Sequence, residues 1–282
     1  MVFEKARAKI NLTLDVFGKR SDGYHEVEMV MQTVDFCDYL SIGSRMDGRI
    51  EVRSNAPFIP LDERNLAFQA ADHLRRACGV SYGVSLDIDK RIPVAAGLAG
   101  GSTDAAAVLR GLNKLWNLGL SIPELAEIGA QIGSDVPFCV YGGTAIARGR
   151  GERIQPLEVA PCFWVILVKP PIAVSTADVY GALQWHDVHR HPDTQAMVQA
   201  LECGDITQVS HQAVNVLEHV TLTMYPEVSR IKNQLEKLGA QVVLMSGSGP
   251  TVFALVERER RAKRIYNEMR SLVKETFLCR TY

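Results

Sequence analysis

The chain has 282 residues, 47% of them hydrophobic, which is enough for the packed cores of one large or two modest domains. Its 31 Lys and Arg residues nearly balance 32 Asp and Glu residues, giving a formal net charge of -1. This balance disfavours a dedicated nucleic-acid-binding protein, which normally has a basic face. We therefore expect no nucleic-acid partner, and any anionic ligand must be bound by local features of the chain.

The six cysteines are scattered, without a CxxC pair or the clustered spacing of a metal site. That pattern is typical of reduced thiols in a cytosolic protein. No signal peptide is visible after Met1, and no apolar run approaches the ~20 residues that span a bilayer. We expect a cytoplasmic protein with no membrane partner, and the sequence leaves its oligomeric state open.

The first part of the chain is rich in strand signals. Apolar and polar residues alternate over 10–16, which predicts a half-buried strand whose second face is polar. Asp22-Gly23 indicates a turn, and the alternation that follows predicts a returning strand around 27–31. The remaining predictions for this part are strands at 49–52 and 84–88 and a helix at 65–78.

Helical periodicity dominates the middle of the chain, where helices are predicted at 103–117 and, from a capping box, at 121–132. A Gly- and Arg-rich stretch at 142–153 then marks a domain boundary. We expect an N-terminal domain of residues 1–155 and a C-terminal domain of residues 156–282. The second half has predicted strands at 163–168, 241–245 and 251–256, helices at 228–238 and 262–273, and a short last strand. This order predicts an α+β fold, because a doubly wound sheet would show strict βαβ alternation.

A glycine-rich stretch lies between a predicted strand and the helix at 103–117. It consists of Pro93, Val94, Ala95, Ala96, Gly97, Leu98, Ala99, Gly100, Gly101, Ser102 and Thr103. Glycines and small neighbours let backbone N–H groups turn inward, and a helix start adds unpaired N–H groups, so the stretch suits phosphate binding. It is neither a Walker A loop nor a G-x-G-x-x-G motif. On this stretch alone, an ordinary tight strand-to-helix connection remains an alternative.

Asp135 and Lys9 are candidates for chemistry at such a site. Asp135 follows a predicted helix end among small and apolar residues, so its carboxylate is a candidate base, unless it only caps a helix or forms a turn. Lys9 shares the polar face of the first strand with Asn11, so its ammonium can point into a site, although most lysines are solvated surface residues.

Tyr24 and His25 follow the predicted turn, a position where binding residues often lie. An aromatic ring can stack on a nucleobase, and a histidine can hydrogen-bond its edge. A patch of histidines at 186–191 lacks the spacing of a defined metal site, and we expect a solvated loop there.

Several motifs resemble those of the GHMP kinase family. Residues 93–103 resemble the family's second motif, 8–12 its first and 246–254 its third, and their order and separation fit the family over essentially the whole chain. The stretches 20–25, with its Gly-Tyr-His, and 133–138 resemble one branch of the family. Members of that branch act on a methylerythritol that carries a cytidine diphosphate group, in non-mevalonate isoprenoid biosynthesis.

The resemblance implies a two-domain GHMP kinase fold, with a ribosomal-protein-S5-like N-terminal domain and a ferredoxin-like C-terminal domain. It implies that ATP and Mg²⁺ bind over 93–103. The expected reaction is phosphorylation of the C2 hydroxyl of a small-molecule substrate that carries a cytidine diphosphate group. Ala99 departs from the family pattern, since many members have glycine there, but its side chain is still small.

Individual roles also follow from the resemblance. Asp135 is the catalytic base, and Lys9 lies beside it, where the ammonium keeps the carboxylate ionised and stabilises the acceptor oxygen or γ-phosphate. The substrate-binding residues are Asn11, Tyr24, His25 and Tyr180. In this arrangement Tyr24 and His25 contact the cytosine and Tyr180 covers its other face, although Tyr180 also fits a core position.

Two other functions stay open at this point. Another GHMP kinase, of the homoserine or mevalonate type, would not need a pair of residues that stack on a base. A non-catalytic relative could bind nucleotide or RNA, but the near-zero net charge and the presence of Lys9 and Asp135 disfavour it.

Overall fold

The computed structural model describes residues 1–158, 162–188 and 190–282. By their contacts the residues fall into two compact units that interleave along the chain. Unit 1 consists of Met1–Ala8, Cys37–Val94 and Ala99–Gly142. Unit 2 consists of Lys9–Phe36, Ala95–Leu98 and Gly143–Tyr282. Within the described ranges, no helix has the length and apolar character that crossing a membrane requires.

Strands and helices are mixed along the chain, which confirms the α+β class. The strands are β1 (Val2–Lys19), β2 (His25–Arg45), β3 (Ile50–Ser54), β4 (Gly83–Asp89), β5 (Thr144–Gly149), β6 (Arg153–Leu157), β7 (Trp164–Lys169), β8 (Val214–Asn215), β9 (Val242–Met245), β10 (Val252–Val256) and β11 (Glu275–Arg280). The helices are α1 (Leu66–Ala77), α2 (Gly100–Leu115), α3 (Ile122–Ala130), α4 (Val136–Tyr141), α5 (Thr176–Ala182), α6 (Thr194–Glu202), α7 (Ile206–Gln212), α8 (Glu218–Met224), α9 (Pro226–Lys237) and α10 (Glu259–Leu272), with a short 3-10 helix at Trp185–Asp187.

Unit 1 combines part of a sheet with four helices. β3 runs parallel to β4, and β4 pairs antiparallel with the second part of β2, from Tyr39↔Asp89 to Arg45↔Gly83. Helix α2 packs against α1, α3 and α4. Residues 103–109 of α2 are all buried, so the helix that follows the glycine-rich stretch stands on a packed framework.

The polar face of β1 in unit 2 is buried, so the prediction of a half-buried strand over 10–16 is wrong. Its four alternating polar side chains are at most 4% exposed, and they are Lys9, Asn11, Thr13 and Asp15. Oγ1 of Thr13 accepts the N–H of Val30 at 2.9 Å, and Oδ1 of Asp15 lies 2.8 Å from Nδ1 of His191. A polar face can be buried in this way because each group finds a hydrogen-bond partner.

The C-terminal part of unit 2 forms a four-stranded antiparallel sheet in the order β11-β7-β10-β9. Counted along the chain, the order is fourth, first, third, second. Helix α9 precedes β9, and α10 connects β10 to β11. This βαββαβ arrangement confirms the ferredoxin-like C-terminal fold.

Several elements differ in length from the predictions. β2 spans 21 residues, far more than the strand expected around 27–31, because its buried apolar residues continue to Ile42. Helix α2 begins at Gly100 instead of 103. The Gly- and Arg-rich stretch at 142–153 contains β5 and the turn into β6. The domain division at 155 stays a prediction.

Gly111→Ala should destabilise unit 1. A Cβ at Gly111 would lie 2.3 Å from Cδ1 of Ile42 and 3.1 Å from Cγ of Glu4. Since buried neighbours hold α2 in place, we expect the free energy of unfolding to fall by about 1–3 kcal/mol in urea denaturation. The matched control is Gly181→Ala in α5, where no atom lies within 4 Å of the added Cβ and the helix should gain up to about 1 kcal/mol. Equal effects of the two substitutions would contradict the packing of α2.

Candidate active site

The glycine-rich stretch 93–103 has an alternating backbone conformation. Ala95, Gly97 and Ala99 have φ values of 51, 74 and 57°, in the left-handed region that residues with a Cβ rarely adopt. Alternation of left-handed with ordinary residues turns successive N–H groups to one side, the backbone geometry that is typical of anion-binding nests. In unit 1, α2 begins at Gly100, and its first turn has the unpaired N–H groups of a helix start.

Within unit 2, Gly97 lies against Ser246, which opens the 246–250 loop between β9 and β10. Oγ of Ser246 donates to the carbonyl of Gly97 at 2.9 Å, and a Cβ on Gly97 would lie 2.2 Å from the Ser246 carbonyl oxygen. The N–H of Lys9 donates to the carbonyl of Leu98 at 3.2 Å. Parts of all three motifs therefore meet in this unit.

The side chain of Lys9 is buried beside this contact, with 4% exposure. Its Nζ donates to Oδ1 of Asn11 at 2.7 Å, and Nδ2 of Asn11 lies 3.2 Å from Sδ of Met29. A Cβ on Gly247 would be 3.6 Å from both Lys9 Nζ and Asn11 Oδ1. These are ordinary contact distances, so the 246–250 loop passes directly beside the ammonium and the Asn11 amide.

Asn215, on β8, is a residue of this region that the sequence analysis missed. It is 4% exposed, and its Nδ2 donates to the carbonyls of Met245 at 2.9 Å and Gly247 at 2.7 Å. Its Oδ1 accepts the N–H of Leu217 at 3.0 Å. Asn215 thus holds the shape of the 246–250 loop. Its strand has two residues and no motif surrounds it, so no local signal marks it.

In unit 1, the end of the glycine-rich stretch forms the first turn of α2. The hydroxyl of Thr103 is engaged within the protein, because it donates to the carbonyl of Arg7 at 2.6 Å and the residue is 1% exposed. Ser102 is half-buried, and Val94 near the start of the stretch is 43% exposed. Of the two hydroxyls in this stretch, that of Ser102 is therefore the more accessible to a ligand.

Asp135, also in unit 1, is the N-cap residue of α4 and is half-buried. In the described structure its side chain makes no capping hydrogen bond to that helix, which argues against a purely capping role. Its backbone carbonyl accepts the N–H of Cys139 at 3.1 Å. The following residues 136–140 are buried, so they hold the backbone from which the carboxylate projects.

Unit 1 also contains a buried ion cluster of Lys90, Asp38 and Asp104 that the sequence analysis did not predict. Nζ of Lys90 lies 2.6 Å from a carboxylate oxygen of each aspartate and donates to the carbonyl of Gly100 at 2.9 Å. Burial raises the pKa of Asp104 to about 8; Lys90 opposes this shift and Asp38 adds to it.

Two of the residues predicted to bind substrate, His25 and Tyr180, are in contact in unit 2, and Tyr24 precedes His25 in the chain. The rings of His25 and Tyr180 are tilted, with centroids 5.0 Å apart, and the guanidinium of Arg150 lies 5.2 Å from the centroid of Tyr24. Tyr24 is 50% exposed, whereas Tyr180 is half-buried, so Tyr180 is not a fully buried core residue. Burial lowers the pKa of His25, and Lys19 acts in the same direction, so the neutral imidazole offers one donor and one acceptor.

The histidine patch at 186–191 is only partly described, since His189 lies outside the described residues. His186 is exposed beside Trp185, and His191 is tied to Asp15 of β1, so the segment is not simply a solvated loop. In the described part of the chain, no group of three or more His, Cys, Asp or Glu side chains is arranged to hold a metal ion.

Two family models match the chain. The model for the GHMP kinases N terminal domain matches residues 65–143, and the model for GHMP kinases C terminal matches residues 197–275. The chain therefore belongs to the GHMP kinase family and is an ATP-dependent small-molecule kinase.

Relatives point to one branch of the family. A 4-diphosphocytidyl-2-C-methyl-D-erythritol kinase of Bacillus cereus (strain B4264) is 57% identical over 276 residues, covering 98% of this chain and 95% of the relative. A kinase of the same name from Bacillus cytotoxicus is 56% identical with the same coverage.

Solved structures agree with this placement. A crystal structure of 4-(cytidine 5'-diphospho)-2C-methyl-D-erythritol kinase is similar with a TM-score of 0.85 and 32% identity, covering 99% of each chain. Homoserine kinase from Cytophaga hutchinsonii is similar with a TM-score of 0.76 and 19% identity, covering 97% of this chain and 94% of that one. The second similarity shows a shared fold alone.

Gly97→Ala should impair nucleotide use. The added Cβ would overlap the Ser246 carbonyl oxygen and would stand on a left-handed residue, so the loop must move. A displacement on this scale costs about 10²-fold in kcat/KM for ATP, measured by steady-state kinetics. Gly79→Ala is the control, because its φ of 63° imposes similar strain but no atom lies within 4 Å of the added Cβ. An equal fall in kcat/KM for ATP in both variants would contradict a specific role of the Gly97–Ser246 contact.

Proposed function

We propose that the chain transfers the γ-phosphoryl group of ATP to the C2 hydroxyl of 4-diphosphocytidyl-2-C-methyl-D-erythritol, a step of non-mevalonate isoprenoid precursor biosynthesis. The observation that carries the proposal is the meeting of the Lys9–Asn11 pair with Gly97 and the 246–250 loop in unit 2. Relatives that are 57% and 56% identical carry the name of this activity, which supports the same choice of acceptor.

The nest at 93–103 is the proposed site for the triphosphate of ATP. Its left-handed residues and the start of α2 direct N–H groups that stabilise phosphate charge without a basic surface, as a chain of net charge -1 requires. Mg²⁺ bound to the nucleotide would neutralise charge on the phosphate oxygens. Hydroxyl and phosphate oxygens are suitable donors for this hard cation, and Ser102 is the proposed protein contact.

Asp135 is the proposed base, which orients the acceptor hydroxyl and takes its proton as the oxygen attacks the γ-phosphorus. Lys9 is proposed to stabilise the negative charge that develops on the transferring oxygens. Its ammonium suits this role because it is buried and oriented by a hydrogen bond to Asn11, so little reorganisation is needed as charge develops.

Tyr24, His25 and Tyr180 are proposed to bind the cytosine. Tyr24 is exposed on the turn that precedes β2 and can stack on the base, while the neutral His25 can hydrogen-bond its edge. Tyr180 lies within ring contact of His25, which supports its place on the other side of the base. Asn11 is proposed to contact the acceptor part of the substrate.

Two sequence predictions also stay as proposals. One is a cytoplasmic location, which the cysteine pattern favours. The other is a division into N- and C-terminal domains near residue 155, which lies between the segments matched by the two family models.

Asp135→Asn should abolish turnover but leave nucleotide binding intact. Loss of the base is expected to reduce kcat by about 10²–10⁴-fold, with the Kd of Mg·ATP changed less than about twofold. Single-turnover kinetics with the cytidine substrate and calorimetric titration of the nucleotide measure the two quantities. Asp87→Asn, at an exposed position on β4, is the control and should match the unaltered chain. Near-normal turnover of the Asp135 variant would rule out this mechanism.

Tyr24→Ala should weaken binding of the cytidine substrate specifically. Loss of one stacked base costs about 1–3 kcal/mol, or a rise in KM of about 5- to 150-fold, while the KM for ATP stays constant. Tyr82→Ala is the control, since Tyr82 is similarly exposed at 47% but lies in unit 1. A negligible effect at Tyr24 would favour a GHMP kinase of the homoserine or mevalonate type.

A further inference from the structure

The buried cluster of Lys90, Asp38 and Asp104 is not used in the chemistry proposed above. The side chains of Lys90 and Asp104 are each 5% exposed and that of Asp38 is 0% exposed. Two carboxylates facing one ammonium away from water form a costly arrangement, and apolar residues of similar volume are often as stable or more so. The cluster therefore requires an explanation other than stability.

Its hydrogen bonds go to both ends of the glycine-rich stretch. At the entry, Oδ1 of Asp38 accepts the N–H groups of Arg91 at 2.5 Å and Ile92 at 2.7 Å, the two residues before Pro93. At the exit, Nζ of Lys90 donates to the carbonyl of Gly100, the first residue of α2. All of these groups lie in unit 1.

The exit contact depends on the absence of a side chain at Gly100. A Cβ there would lie 3.1 Å from Nζ of Lys90 and 3.1 Å from Cγ2 of Ile92, closer than ordinary contacts. Position 100 therefore favours glycine, because the Lys90 ammonium and the buried Ile92 side chain crowd the space that a Cβ would need.

Asp104 completes the cluster from the second turn of α2. Its Oδ2 lies 2.6 Å from Nζ of Lys90, whereas its buried Oδ1 has no hydrogen-bond partner among the described residues. Burial raises the pKa of Asp104, which agrees with a carboxyl group held in place by its neighbour Lys90 and not by water. Lys90 contacts β2, the first turn of α2 and its second turn together.

We propose that Lys90 is a positioning residue for nucleotide binding, which with Asp38 and Asp104 fixes the two ends of the 93–103 stretch so that its N–H groups face the triphosphate. The proposal rests on the phosphate-binding role proposed for that stretch. Lys90 does not contact the nucleotide in this role. It acts through the carbonyl of Gly100 and, by way of Asp38, through the N–H groups of Arg91 and Ile92.

The test substitutes Lys90→Met, which keeps the length and apolar stem of the side chain and removes the ammonium. We expect both the KM for ATP and the Kd of Mg·ATP to rise at least about tenfold, while the KM for the cytidine substrate changes less than about twofold. A merely structural role would lower Tm without this split between the two substrates.

Arg75→Met is the matched control. Arg75 is another cation of unit 1, with a side chain 25% exposed, and it likewise bridges a carbonyl and a carboxylate. These are the carbonyl of Gly48 at 2.6 Å and the carboxylate of Asp72 at 2.9 Å, and both lie outside the glycine-rich stretch. Its loss should lower Tm and leave the KM for ATP unchanged. An equal rise in the KM for ATP in the Arg75 variant would count against a specific role of Lys90.

Because Lys90→Met leaves two buried carboxylates without their cation, a second variant combines it with Asp104→Asn. This pair of changes removes the ammonium together with the raised-pKa carboxyl of Asp104 and retains Asp38 for the N–H groups of Arg91 and Ile92. The same selective rise for ATP is expected. If either folded variant binds Mg·ATP like the unaltered chain, the proposal is refuted. If the unaltered chain itself binds no Mg·ATP, the phosphate-binding role of the stretch fails instead.

Discussion

The close approach of two backbone segments, at Gly97 and Ser246, is the constraint on which the candidate site depends. A side chain at 97 would overlap the Ser246 carbonyl oxygen, and the Ser246 hydroxyl already bonds the Gly97 carbonyl. The same contact brings the 246–250 loop to the ammonium of Lys9. Every backbone N–H and C=O group needs a hydrogen-bond partner, so the close packing of these two segments restricts how their N–H groups can point. Because the contact is made mostly by backbone atoms, little side-chain conformational entropy is lost in forming it.

Buried polar groups make this arrangement specific. The polar face of β1, the amide of Asn215 and the Lys90 cluster are each enclosed and hydrogen-bonded, and each holds a segment that bears on the site. Burying such groups costs free energy unless their partners are placed correctly, so a displaced loop would leave them unpaired. The low net charge of the chain is consistent with the proposed site, in which local amides and buried lysines would serve in place of a basic surface.

The parts of the fold with strong local signals were predictable from the sequence. Periodicity located α1, α9 and the strands around the 246–250 loop, and the capping box marked α3. Residues that act through tertiary contacts were not predictable. Lys90 and Asn215 carry no local motif, and Asp38 lies 52 positions before its partner Lys90. The alternation in β1 predicted a strand correctly, but it could not reveal that both faces are covered, because that depends on distant elements.

In the candidate site, backbone features and individual side chains have different proposed roles, and this difference indicates how one fold could act on different acceptors. A homoserine kinase shares this fold at 19% identity, so the framework by itself does not choose the substrate. The nest at 93–103 and the 246–250 loop are backbone features, which any sequence with small residues at the tight positions can form. Tyr24, by contrast, lies on a turn where its N–H donates to Asp22, and His25 begins β2 directly after it, so both side chains stand at the start of the strand and outside its buried core. Under the proposed roles, substrate choice would vary at these side chains while the proposed nucleotide site stayed the same.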